Sequence, residues 1–156
     1  DPDDAMFANP SDMPSAISEY CRRHGELSPS TDAEFVRCIF ESLALKYRMV
    51  LGRLQELTGK HIERLHIIGG GSMNALLNQM TSDSLGIPVI AGPAEATTVG
   101  NLMAQFTGLG FAGSITGMRG VLASDPSLHR FEPAGQDVWD NAFERFVEII
   151  NTKQTI

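Results

Sequence analysis

Cysteine is scarce here: only Cys21 and Cys38 occur among 156 residues, and neither sits in a C-x-x-C or in a cysteine/histidine group of zinc spacing. That excludes a disulfide framework, and two free thiols in a reducing compartment are expected, although neighbouring antiparallel helices would let the pair face each other. Basic charge is short too. The 12 Lys and Arg against 19 Asp and Glu leave a formal charge of -7, the wrong sign for a sequence-independent grip on a phosphate backbone. Nucleic acid is therefore not expected as a partner. Long apolar runs are missing, since none approaches the roughly 20 residues of a membrane span. No basic segment followed by an apolar core marks a secretory signal at the start, so the expectation is a cytoplasmic chain without membrane contact. His24, His61, His66 and His129 are scattered without ligand spacing, so no metal site is expected from them.

What is present is ordinary globular material, with 42% hydrophobic and 20% charged residues. A chain of this length makes one modest domain that buries roughly two thirds of its unfolded surface. Asn9-Pro10-Ser11-Asp12-Met13-Pro14 predicts a turn into a short helix, capped by Ser11 or Asp12, with Pro14 in its first turn and Gly25 at its end. Thr31 and Glu34 form a capping box. Behind it Val36, Ile39, Phe40, Leu43, Tyr47, Val50, Leu51, Leu54 and Leu57 recur at helical spacing up to Gly59. This stripe is expected to be core, Tyr47 included, covered by a sheet and another helix.

Past Gly59, Leu65-His66-Ile67-Ile68 is too short for a helix and suits a buried strand that stops at Gly69-Gly70-Gly71. A helix is expected from about Ser72, its capping residue, to Leu85, ending at Gly86. Ile87 to Ile90 predicts a second strand, with Pro88 at its start. Glu95 opens a third helix, in which Gly100 implies close packing. Ile115 to Ala123 predicts a short helix, Pro126 and Pro133 bracket an irregular surface stretch, and Asp137 to Ile150 predicts a final helix. Val138, Trp139, Phe143, Phe146, Val147 and Ile150 are expected on its inner side.

The strand–glycine–helix unit is the candidate for chemistry. Glycines without Cβ let a flat ring or a phosphate approach the backbone, and a helix start offers unpaired N–H donors. A triple glycine serves equally as a tight turn between core elements, so further residues must decide. Asn74 stands where a Rossmann fingerprint wants a third small residue, and no Walker Gly-Lys-Ser/Thr triplet occurs.

Those further residues are Asn74, Leu77-Asn78-Gln79, Asp83, Gly86-Ile87-Pro88-Val89, Glu95 and Gly100-Asn101. With the triple glycine, this segment resembles the adenosine-binding region of FGGY-type carbohydrate kinases. Asn74, Leu77-Asn78-Gln79 and Val89-Ile90-Ala91-Gly92-Pro93 look most like the rhamnulokinase branch of that family. The opening Asp1-Pro2-Asp3-Asp4 and the closing Trp139 to Phe146 are similar as well, so the resemblance runs over essentially the whole chain.

The resemblance implies an α/β fold, the C-terminal part of an actin-like, ribonuclease-H-like ATPase domain, helix-rich with two short core strands. It implies ATP and Mg2+ as cofactors, and transfer of the γ-phosphoryl group to a sugar hydroxyl, here the 1-hydroxyl of L-rhamnulose. Gly69, Gly70, Gly71 and Asn74 are the expected nucleotide-binding residues. Gln79 and Asp83 are expected to brace the glycine turn, and Glu95 is read as structural. No catalytic residue is assigned, because in the family the base for the attacking hydroxyl and the phosphate-binding turns lie upstream of this segment. The sugar-binding N-terminal domain is expected to be missing, which makes residues 1–156 a fragment inactive alone. A kinase for another sugar and a non-catalytic interaction module are the alternatives.

Overall fold

A computed structural model describes residues 1–111, 116–117, 120 and 127–152. Helix α1, Met13–Arg23, starts at Asp12, whose Oδ2 accepts from the Ser15 N–H at 2.9 Å. Helix α2, Asp32–Thr58, starts with the predicted box: the Glu34 N–H donates to Thr31 Oγ1, and Glu34 Oε2 accepts from the Thr31 and Ser30 N–H groups. It ends at Gly59. The opening segment is tied to α2 by Lys46, whose Nζ lies 3.0 Å from Asp1 Oδ1 and 2.8 Å from Asp3 Oδ2.

Three short strands form one sheet in the order β1-β2-β3. Strand β1, Leu65–Ile67, runs parallel to β2, Val89–Ala91, and β3, His129–Phe131, pairs antiparallel with β2. The third strand corrects the reading of two, since it falls within the stretch taken as irregular. His-Arg-Phe has no alternation to announce it, and only the free edge of β2 turns it into a strand. The first crossover is α3, Ala75–Leu85.

Helix α3 buries polar rather than apolar residues: Asn78, Thr81, Ser82 and Ser84 are each 0% exposed. Their small size lets neighbouring backbones come close, and hydrogen bonds offset the lost hydration. Ser84 Oγ donates to the Ala44 carbonyl of α2 at 3.1 Å, and Ser82 Oγ reaches the carbonyls of Ile87 and Phe131. Gly86 ends α3 with φ 68°, a left-handed conformation that favours glycine.

Helix α4 is Ala96–Gly108, and helix α5 is Gln136–Asn151. The apolar core joins Leu45 and Met49 of α2 to Phe146 and Ile150 of α5, flanked by Trp139, Ala142 and Phe143. Arg48 stacks on the Phe143 ring at 4.4 Å and pairs with Asp140 at 2.7 Å.

Several expectations change. On α2 the buried residues are Ala44, Leu45 and Met49, whereas Val36, Ile39, Tyr47, Val50, Leu54 and Leu57 are exposed, Leu57 by 83%. None of the three buried residues belongs to the predicted stripe, of which Phe40, Leu43 and Leu51 are half-buried; among the described residues the face of α2 that packs on α5 is the neighbouring one, with Leu45 and Met49. Val138 is 72% exposed, because it lies off the face that carries Phe146 and Ile150. A Cβ at Gly100 would meet nothing within 4 Å, so close packing does not explain that glycine. The helix expected over Ile115 to Ala123 lies largely outside the described residues, as does Pro126.

Candidate functional site

The C-terminal ends of the parallel strands β1 and β2 open on one edge, where crevices form in α/β sheets. Two backbone bonds knit the ends together: the Gly92 N–H donates to the Ile67 carbonyl at 2.8 Å, and the Gly69 N–H to the Pro93 carbonyl at 3.2 Å. Gly69 has φ 75° and ψ -160°, a region closed to L side chains, and it turns the chain into a single 3-10 turn, Gly70–Met73.

Gly70 and Gly71 differ from Gly69. Neither has a positive φ, a Cβ on Gly70 would meet nothing within 4 Å, and one on Gly71 would touch only Ile67 Cγ2 at 3.8 Å. Backbone geometry and local packing would therefore accept side chains at both positions. Their absence leaves an open strip of backbone, flanked by the exposed Ile68, Met73 and Leu76.

Ser72 does not cap α3 as expected. It is buried, and its Oγ donates to the Gly69 carbonyl at 2.7 Å, inside the turn. The cap is Asn74, whose Oδ1 accepts from the Leu77 N–H at 3.0 Å, so α3 starts at Ala75. This uses the carbonyl half of the Asn74 amide. The NH2 half is not needed for capping.

Gln79 and Asp83 brace a different connection from the one anticipated. Gln79 Nε2 donates to Asp83 Oδ1 and to the Glu132 carbonyl, and the Ala134 N–H donates to Asp83 Oδ1 at 2.8 Å. They fasten the link between β3 and α5 rather than the glycine turn. The long-range partners were hidden because they lie 51 and 53 residues away. Glu95 is exposed ahead of α4, with Thr98 Oγ1 at 3.5 Å from its Oε2 and no side-chain cap bond to the helix.

Among the described residues, no three His, Cys, Asp or Glu side chains gather to hold a metal, and no helix is long and apolar enough to cross a membrane. Cys21 and Cys38 are free thiols. Burial, then the neighbouring Cys38, push the Cys21 thiol up to about 11, and burial raises Cys38 as well.

Two larger concavities lie elsewhere. A groove of about 490 Å³ runs between α2 and α5 past Arg48 and Phe143, and one of about 550 Å³ lies between α1 and α5 past Arg23 and Arg145. Both are open troughs between helices, and neither includes residues 69–74.

Comparison with known proteins gives a consistent result. A model of the FGGY family of carbohydrate kinases, C-terminal domain, matches residues 1–109. A rhamnulokinase of Bacteroides thetaiotaomicron is 50% identical over 145 residues, which cover 93% of this chain and 30% of that protein. A rhamnulokinase of Pectobacterium carotovorum is 46% identical over 93% of this chain and 29% of its own length. One from Klebsiella pneumoniae is 42% identical over 99% of this chain and 31% of its own length. The chain thus spans about three tenths of the length of the curated relatives it matches.

Proposed function

The chain belongs to the FGGY family of carbohydrate kinases, and from that membership we propose that it supplies the ATP-binding side of a kinase that phosphorylates L-rhamnulose at its 1-hydroxyl. The sugar assignment is supported by the relatives called rhamnulokinase. The observation that carries the site assignment is the exposed glycine pair, Gly70 and Gly71, which neither φ nor a close neighbour demands.

In this reading the nucleoside lies against Gly69, Gly70 and Gly71, where the missing side chains allow van der Waals contact with the backbone. The Asn74 NH2 donates to the base or ribose while Asn74 Oδ1 keeps its bond to Leu77. The donors present do not form a Mg2+ cage among the described residues. Mg2+ is accordingly assigned to the ATP phosphates and to polypeptide beyond residues 1–156, the expected habit of an ion that keeps its waters and binds through phosphates. The same polypeptide would provide the sugar-binding domain, the phosphate turns and the base that takes the proton of the attacking hydroxyl. The compartment that fits these readings is the cytoplasm.

The test uses the full-length protein and Asn74→Asp, which retains the capping oxygen and removes the NH2. The KM for ATP should rise by about tenfold, the range of one lost hydrogen bond to a ligand, with little change in melting temperature. An unchanged KM for ATP would remove Asn74 from the site. Comparing L-rhamnulose with other ketoses as substrates tests the sugar assignment separately, since it depends on other residues.

A further inference from the structure

Asn78 lies one turn into α3 and is 0% exposed. Its Nδ2 donates to the Ser72 carbonyl at 2.9 Å, whereas its Oδ1 is buried without a hydrogen-bond partner among the described residues. An unsatisfied buried acceptor works against stability, and a leucine of similar shape would fill the same space without that penalty. Packing therefore does not explain the amide. The bond to Ser72 does.

That bond belongs to a short chain. Asn78 holds the Ser72 carbonyl, and the N–H and Oγ of Ser72 both donate to the Gly69 carbonyl, at 3.0 and 2.7 Å. The links pass from the body of α3 to both ends of the segment that presents Gly70 and Gly71. Without Asn78, the turn would keep its own backbone bonds but lose its tie to the buried side of the helix.

Building on the nucleotide-site reading above, we propose that Asn78 is a positioning residue for the glycine turn: by fixing the Ser72 carbonyl it sets the shape in which Gly70 and Gly71 meet the nucleoside. It touches no ligand itself. Because the nucleoside end of ATP is remote from the transferred phosphoryl group, loosening this turn weakens ground state and transition state alike, which raises KM and spares kcat.

The experiment compares the full-length enzyme with Asn78→Leu and Asn78→Ala, and with Ser84→Ala as a control. Ser84 is equally buried on the same helix but bonds to Ala44 rather than to the turn. Steady-state kinetics and amide hydrogen exchange over residues 69–74, with and without ADP, are measured on each. Either Asn78 variant should raise the KM for ATP about tenfold, leave kcat and the KM for sugar within about twofold, and speed exchange at the turn. Ser84→Ala should do none of these. If ADP fails to slow exchange at residues 69–74 in the unaltered enzyme, the nucleotide-site reading falls, and this proposal with it. If ADP protects those residues but both Asn78 variants keep the original KM and exchange, only the positioning role is overturned. Variants that lose kcat, both KM values and global stability together, or that cannot be obtained folded, mark Asn78 as a general structural residue and also overturn the proposal.

Discussion

Position 70 has no side chain, although the backbone there would accept one and no neighbour would obstruct it. Gly70→Val should therefore leave the melting temperature within a few degrees while raising the KM for ATP in the full-length enzyme; equal losses in both would show that the fold itself needs the glycine. Gly69 is the opposite case, because its φ of 75° makes any substitution a folding defect first. Cys21 gives a pH dependence at the same scale. Its thiol, raised by burial and by Cys38 from 9.0 to about 11, keeps its proton in the folded state after the unfolded chain has lost it. The stability from the neutral thiol is fully present below about pH 9 and is lost as pH rises through about 11. Denaturant midpoints should fall from pH 8 to about pH 10.5, and less steeply in Cys21→Ala. A Cys21→Ala curve parallel to the original would assign the fall to other groups.

Elements stop and start in this chain by local chemistry that reads directly from residues. Thr31 and Glu34 announce the α2 box, and Thr31→Ala should cost about 1 kcal/mol, seen as a lower melting temperature. Gly86 at the end of α3 combines φ 68° with the Gln136 side chain 2.9 Å from where a Cβ would stand. Gly86→Ala should then cost about 1–2 kcal/mol from the left-handed backbone alone. Equal stability would mean that the αβ connection relaxes. The start of α3 was harder to read, since Ser72 and Asn74 are both capping types. The structure gives the cap to Asn74 because Gly70–Met73 forms its own turn first and draws Ser72 inward.

At the scale of the whole molecule, apolar faces stand uncovered among the described residues. Most of the apolar stripe of α2 and the residues Leu102, Phe106, Leu109 and Phe111 around α4 are exposed, and β1 has no strand on its outer edge among the described residues. Such faces are an association hazard in an isolated chain. Residues 1–156 produced alone should bind an apolar dye and self-associate in light scattering, independently of nucleotide. The full-length protein should do neither, if the proposed remainder covers those faces. A monodisperse, dye-free monomer of the isolated chain would contradict this and show that the exposed stripe is tolerated in water.

Residue order alone was enough to announce the caps of α1 and α2, a strand just ahead of the three glycines and the motif set that marks the family, because each depends on chemistry within a few positions along the chain; the burial expected of that strand was not met, since His66 and Ile68 are exposed. Strand β3, the anchoring of residues 132–134 by Gln79 and Asp83, and the exposure of most of the α2 stripe depended on which distant segments meet. Periodicity reports that a helix has an apolar face, but whether that face is buried depends on a partner many residues away. For the same reason, the open backbone at Gly70 and Gly71 became visible only in three dimensions: a glycine required by its neighbours and a glycine left bare look identical in a sequence, and only the surrounding atoms tell them apart.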